Sequence, residues 1–152
     1  MKKIVCGMIV LGGMTLLLSG CGKEIAQTMT CTLTQKDVVN QYELDATYVV
    51  NYTGDLVTDV ETTEVVTSDD TTVLDNFEQQ LNQIYQAMQE NYGGYDIDIQ
   101  NDGKKVTSIV KIDYQKLNFD QLIEDNSAMK NYVNDKNQLT LDGIKTMYQS
   151  QG

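Results

Sequence analysis

The sequence predicts an α+β domain: an antiparallel sheet built from two hairpins, packed on one face by one long amphipathic helix and short C-terminal helices. Three observations lead there. Residues 44–52 and 56–67 are alternating, β-branched runs joined at Gly54-Asp55, and residues 95–99 and 106–114 repeat that pattern around Asn101-Asp102-Gly103. Between the two hairpins, apolar residues recur at helical spacing from Val73 to Met88 and stop at Gly93-Gly94. Beyond Lys116 helical spacing returns, but only in short pieces.

In chain order, Thr28 to Thr34 (T-M-T-C-T-L-T) alternates apolar and hydroxyl residues and reads as a short first strand. Leu44, Ala46, Tyr48, Val50 and Tyr52 share one face of the next run. Its hairpin partner, Leu56 to Thr67, is rich in Thr and Glu, so one of its faces is expected to be wet. Ser68-Asp69-Asp70-Thr71-Thr72 offers several N-caps, with acids favourably placed in the first turn of the helix. On that helix Val73, Leu74, Phe77, Leu81, Ile84, Tyr85 and Met88 form the apolar side, with Gln, Asn and Glu opposite. In the second hairpin, Val106, Ser108, Val110, Ile112 and Tyr114 point inward. Three short helical pieces follow, around Phe119 to Ile123, around Met129 to Val133, and from Leu141 to Tyr148 with Thr140 as cap.

Ahead of the domain stands a leader. Lys2 and Lys3 precede an apolar run from Ile4 to Leu18, too short to span a bilayer comfortably and of the length of a signal peptide. Leu18-Ser19-Gly20-Cys21 has the pattern of a bacterial lipobox. Small residues at 19 and 20 admit a peptidase, and the Cys21 thiol takes a diacylglyceryl group; two acyl chains suffice for stable anchoring. The expected organisation is residues 1–20 as lipoprotein signal peptide, 21–27 as a short lipid-proximal tether and 28–152 as a single domain. Processing removes Cys6 and acylates Cys21, which leaves Cys31 as a thiol without a partner in this sequence: a small core residue of the first strand, with intermolecular pairing or a partner lost from a truncated C-terminus as the alternatives.

Composition excludes several chemistries. The formal net charge is −11, and it becomes −13 once Lys2 and Lys3 leave with the leader. That rules out nucleic-acid binding by phosphate neutralisation and a polybasic grip on lipid. The chain has no His, Arg, Trp or Pro. Without His there is no Ser/His or Cys/His device and no usual zinc site; without Arg there is no bidentate clamp for phosphate or carboxylate.

The 22 acidic residues turn attention to hard cations. Asp96 to Gly103 superficially resembles a calcium loop. Framed from Asp96, the glycine position holds Asn101; framed from Asp98, Gly103 fits but the bidentate Glu position holds Ile109. A solvated hairpin face accounts for these acids, and no metal or cofactor is expected. Asp69 and Asp70 are explained as caps. Tyr92-Gly93-Gly94-Tyr95 stands out among nine tyrosines, because two glycines at a helix-to-strand corner set two rings beside a close backbone approach. Tyr92 and Tyr95 are therefore the candidate contacts for a ligand or partner, although a helix stop by itself explains the glycines.

The lipobox, Tyr52-Thr53-Gly54-Asp55-Leu56-Val57-Thr58, Tyr92-Gly93-Gly94-Tyr95, Ile112-Asp113-Tyr114 and the closing stretch Leu139 to Tyr148 together resemble the YehR-like family of small bacterial lipoproteins. The resemblance covers essentially the whole processed chain and implies a compact α+β domain displayed outside the cytoplasmic membrane. It implies no catalytic residue, and only Cys21 carries over as a functional position. The expectation is a monomeric, non-catalytic lipoprotein, anchored to the membrane through Cys21, that binds an envelope protein. The alternatives are a small-solute or cation-binding accessory of the envelope and, third, an acid-pair hydrolase.

Overall fold

A computed structural model describes residues 3–9 and 25–151. Residues 10–24, and with them Cys21 and most of the leader and tether, lie outside the described residues. The described residues hold six strands, β1 (Lys3–Ile9), β2 (Ala26–Asp37), β3 (Tyr42–Thr53), β4 (Leu56–Thr67), β5 (Tyr95–Asn101) and β6 (Lys105–Asp113). They form one antiparallel sheet in the order β1-β2-β3-β4-β6-β5. Helix α1 (Thr71–Tyr92) connects the two hairpins; α2 (Phe119–Asp125), a 3₁₀ turn (Ser127–Tyr132) and α3 (Leu141–Gln151) close the chain. This is the expected α+β architecture.

Both hairpins turn where the sequence places them. Gly54 and Gly103 carry positive φ, and the Asp102 side chain accepts from the amides of Lys104 and Lys105. Those backbone donors hold the Asp102 carboxyl below its usual range. Asp70 is the cap that α1 uses, its Oδ1 accepting from the Thr72 amide at 2.8 Å; the expected acids of the first turn are corrected, because the helix starts at Thr71, after Asp69 and Asp70. At the other end Gly93 adopts φ 67° and its amide donates to the Gln89 carbonyl.

β4 departs from simple alternation. Its register with β3 slips between Asn51 and Tyr52, making Thr58 the extra residue of a bulge. The slip explains an odd spacing: Val57 and Val60 are both buried although three positions apart. It also collects Thr28, Asn51, Thr58 and Asp59 into a hydrogen-bonded group, with Asn51 Nδ2 donating to Asp59 at 2.6 Å.

The main core lies where the C-terminal helices meet β2, β3 and β4, with Met29, Val50, Val60, Leu139 and Ile144 almost fully buried. Backbone bonds stitch this segment down: the Val57 amide donates to the Leu139 carbonyl, and the Leu141 amide to the Asp55 carbonyl. A smaller cluster of Val66, Leu74 and Val106 sits at the opposite end of the sheet, under the start of α1. Helix α1 lies chiefly over β5, at the margin of the sheet. That position corrects the expected apolar face: Leu74 is its only fully buried residue, while Ile84 and Met88 are 50% and 37% exposed.

The first strand begins at Ala26, two residues before the expected boundary, and it has a neighbour that alternation alone does not reveal. β1 runs antiparallel along its outer edge and sets Cys6 opposite Cys31, and the two are disulfide-bonded. The solitary thiol expected at Cys31 is that of a processed chain lacking Cys6; in the full chain the two cysteines are bonded. The pairing spans 25 residues and depends on register between two strands, which no local pattern encodes.

Candidate functional site

One end of the sheet gathers two of the molecule's open clefts. It holds the start of β2, the β3–β4 turn, the end of β6 and the start of β5, because Ala26 pairs with Thr53, Asp59 with Asp113 and Tyr95 with Ile112. Two open clefts lie there, separated by the loop from β6 to α2 and sharing Thr58 and Gln115. The larger, about 690 Å³, is walled by Leu56, Tyr114, Asn118, Asp120 and Asn137. The smaller, about 580 Å³, is walled by Asp59, Gln89, Tyr95, Asp96, Lys111 and Asp113.

The glycine corner builds the smaller cleft. Gly93 and Gly94 both have positive φ. A Cβ on Gly94 would come within 2.8 Å of the Asp113 carbonyl, so β6 can approach only a glycine here. The Asp113 amide donates to the Gly94 carbonyl at 2.8 Å, and the Asn118 amide to the Tyr92 carbonyl at 2.8 Å. This double turn sends the two candidate rings apart. Tyr95 enters the cleft wall, with its amide on Gln89 Oε1 at 2.7 Å and its hydroxyl pKa pushed up by burial. Tyr92 does not reach the cleft; its hydroxyl donates to Asp125 at 3.0 Å, which raises its pKa and ties α1 to α2. Of the two expected contacts, Tyr95 lines a cavity and Tyr92 braces two helices.

Charges in the smaller cleft are mixed. Asp113 pairs with Lys116 at 2.8 Å, and that hydrogen bond holds the carboxyl low and the ammonium high. Lys111 pairs across the ladder with Glu61 at 3.1 Å. Among the described residues, no group of three Cys, Asp or Glu side chains is arranged to hold a metal ion. Asp59, Lys111, Asp113 and Gln115 were not legible as site residues, because they come from β4, β6 and a loop and share no motif.

Among the described residues, the one carboxyl that burial raises lies elsewhere. Glu64, in the middle of β4 beneath α1, accepts a hydrogen bond from the Tyr85 hydroxyl at 3.3 Å; burial pushes its pKa up against that bond. Directly opposite on β6 is Ser108, 0% exposed, whose hydroxyl has no hydrogen-bond partner. Glu64 lines neither cleft.

No family model matches the chain, and no curated protein matches it. Among solved structures, the fold is similar to the NMR structure of the E. coli YehR protein, with a TM-score of 0.51 and 19% identity over 86% of this chain and 88% of that one. An NMR structure of a protein from Streptococcus pneumoniae TIGR4 aligns with a TM-score of 0.43 and 12% identity over 76% of each chain. The first likeness establishes a shared fold.

Proposed function

We propose that this chain is an extracytoplasmic lipoprotein of the YehR-like kind, anchored through lipid on Cys21, whose single domain binds an envelope protein and performs no chemistry. The observation that carries the reading is Leu18-Ser19-Gly20-Cys21 at the end of a basic and then apolar leader. The shared fold with YehR supports it. Ala26, the first residue of β2, follows Cys21 by only five residues, a reach of about 18 Å at most. The cleft-bearing end of the sheet is therefore the end nearest the anchor.

Replacing Cys21 with Ser is expected to move the protein from the membrane fraction to the medium or soluble fraction. Retention of that variant in the membrane, with residues 1–20 still attached by mass, would overturn lipid anchoring.

A second reading, a solute- or cation-binding accessory, draws on the smaller cleft, where Tyr95 and mixed Asp and Lys walls meet. It predicts a saturable thermal shift of the released Cys21→Ser protein with one envelope solute or divalent cation. Ionic strength must be matched, since a strongly acidic protein gains from any salt. A ligand at 100 times its Kd adds about 2.7 kcal/mol, several degrees for a domain of this size. A flat screen removes this reading. An acid-pair hydrolase has less support, because the cleft carboxyl Asp113 is held low by Lys116, the reverse of what a general acid needs.

A further inference from the structure

We propose that the processed chain forms a two-fold dimer through the outer edge of β2, with the Cys31 residues of the two copies disulfide-bonded across the axis. The proposal rests on the reading that residues 1–20 are removed before Cys21. That cut takes away β1, which covers Thr28 to Thr34 of the edge, and Cys6, which occupies Cys31. A 12-residue strand is then left with one free edge.

The free edge is built to be covered. Natural sheets guard their edges with charge, proline or bulges. The other edge of this sheet does so, since β5 carries the exposed Asp96 and Asp98. On β2, residues 26–35 hold no charged side chain, in a chain with 22 acidic residues.

What fits the edge is a second β2. Run antiparallel about Cys31, Thr30 meets Thr32, Met29 meets Leu33, Thr28 meets Thr34 and Gln27 meets Gln35. The core face of this pairing is apolar throughout, because Met29, Cys31 and Leu33 are the buried positions of the strand. A two-fold interface is self-complementary by construction, and this strand reads nearly the same in both directions. Helix α3 already reaches across to β1, so in the dimer it overlies the strand that replaces β1. The two Ala26 ends lie ten residues apart along the joined strands, about 33 Å. Each short tether then reaches the bilayer only if the strand pair lies along the membrane.

The bond forms by exchange with a disulfide-bearing oxidant of the envelope. One Cys31 thiolate attacks the oxidant disulfide and expels a thiolate. The second Cys31 thiolate displaces the other oxidant sulfur, and the two protons end on the oxidant, now a dithiol.

The test uses the full chain with a C-terminal epitope, expressed in a bacterium with an oxidising envelope and extracted from membranes after free thiols are alkylated. The expected result is a chain lacking residues 1–20 by mass and a band of twice its size on a non-reducing gel. Reductant and Cys31→Ala abolish that band, whereas Cys6→Ala leaves it intact. In the Cys31→Ala background, Thr28→Cys with Thr34→Cys restores the dimer through a short thiol crosslinker; within one chain these positions are about 20 Å apart and cannot be bridged. A processed chain that stays monomeric with Cys31 alkylated overturns the proposal and spares the processing reading. A Cys31 dimer without the 28–34 crosslink marks a chance disulfide and also overturns it. Retention of residues 1–20 with Cys6 bonded to Cys31 overturns processing itself, and the dimer with it.

Discussion

Gly143→Ala is expected to destabilise the domain by about 2–3 kcal/mol, the reverse of what helix propensity dictates. Within a helix, Ala is normally better than Gly by up to about 1 kcal/mol. Gly143 lies in the first turn of α3, and its amide donates to Thr140 Oγ1 at 3.0 Å. The Tyr132 backbone crosses this turn so closely that an added Cβ would overlap the Tyr132 carbonyl. That carbonyl is fixed by the Thr140 amide at 3.1 Å, so it has no easy direction of retreat. Displacing α3 loosens Ile144, which is fully buried, and Tyr148, whose ring meets that of Tyr48 at 4.9 Å. Gly103→Ala is the control: nothing lies within 4 Å of its Cβ, so only its positive φ costs, about 1 kcal/mol. Urea midpoints measure both. A Gly143→Ala midpoint at or above that of the parent chain contradicts the close crossing.

The second large effect is a pH-dependent gain from Glu64→Gln. Burial raises the folded-state pKa of Glu64 above its ordinary value near 4.5, so the folded protein holds this proton longer than the unfolded chain. Its contribution is therefore most favourable below about 4.5, and stability is lost as pH rises through the folded value. Gln is neutral at every pH and still accepts from Tyr85. At pH 7 the variant is expected to be about 1–2 kcal/mol more stable than the parent, and at pH 4 the difference should nearly vanish. Tyr85→Phe, which strips the carboxylate of its donor, should lose more stability at pH 7 than at pH 4. Thermal melts at the two pH values decide it; an equal difference at both would mean that Glu64 is solvated.

Much of the fold was legible because alternation and helical spacing are local. The hairpins, their glycine turns, the helix ending at Gly93 and the Thr140 cap all follow from neighbours within a few residues. The reach of α1 was not legible: seven apolar residues read as one buried face, yet the helix sits at the sheet margin and leaves Ile84 and Met88 exposed. The bulge at Thr58 breaks the period of two by one residue, which resembles noise until the register is known. The candidate site was half legible. A glycine corner between two tyrosines marked an edge of the smaller cleft, but the opposite fates of Tyr92 and Tyr95 depend on Asp125 and Asp113, distant in sequence.

On β4 and β6 the pair Glu64 and Ser108 stands between the row of Val66 and Val106 and the large assembly around Ile144, while Leu33, Ala46 and Ile99 continue that row as apolar residues on β2, β3 and β5. Apolar packing between the two ends of the sheet is therefore thinnest along β4 and β6. Amide exchange is expected to be faster at the end that holds Leu74 and the start of α1, which has the smaller cluster, than at the end that carries the clefts. Rigidity is thus concentrated at the end where β2 begins, and the far end is the part freer to yield.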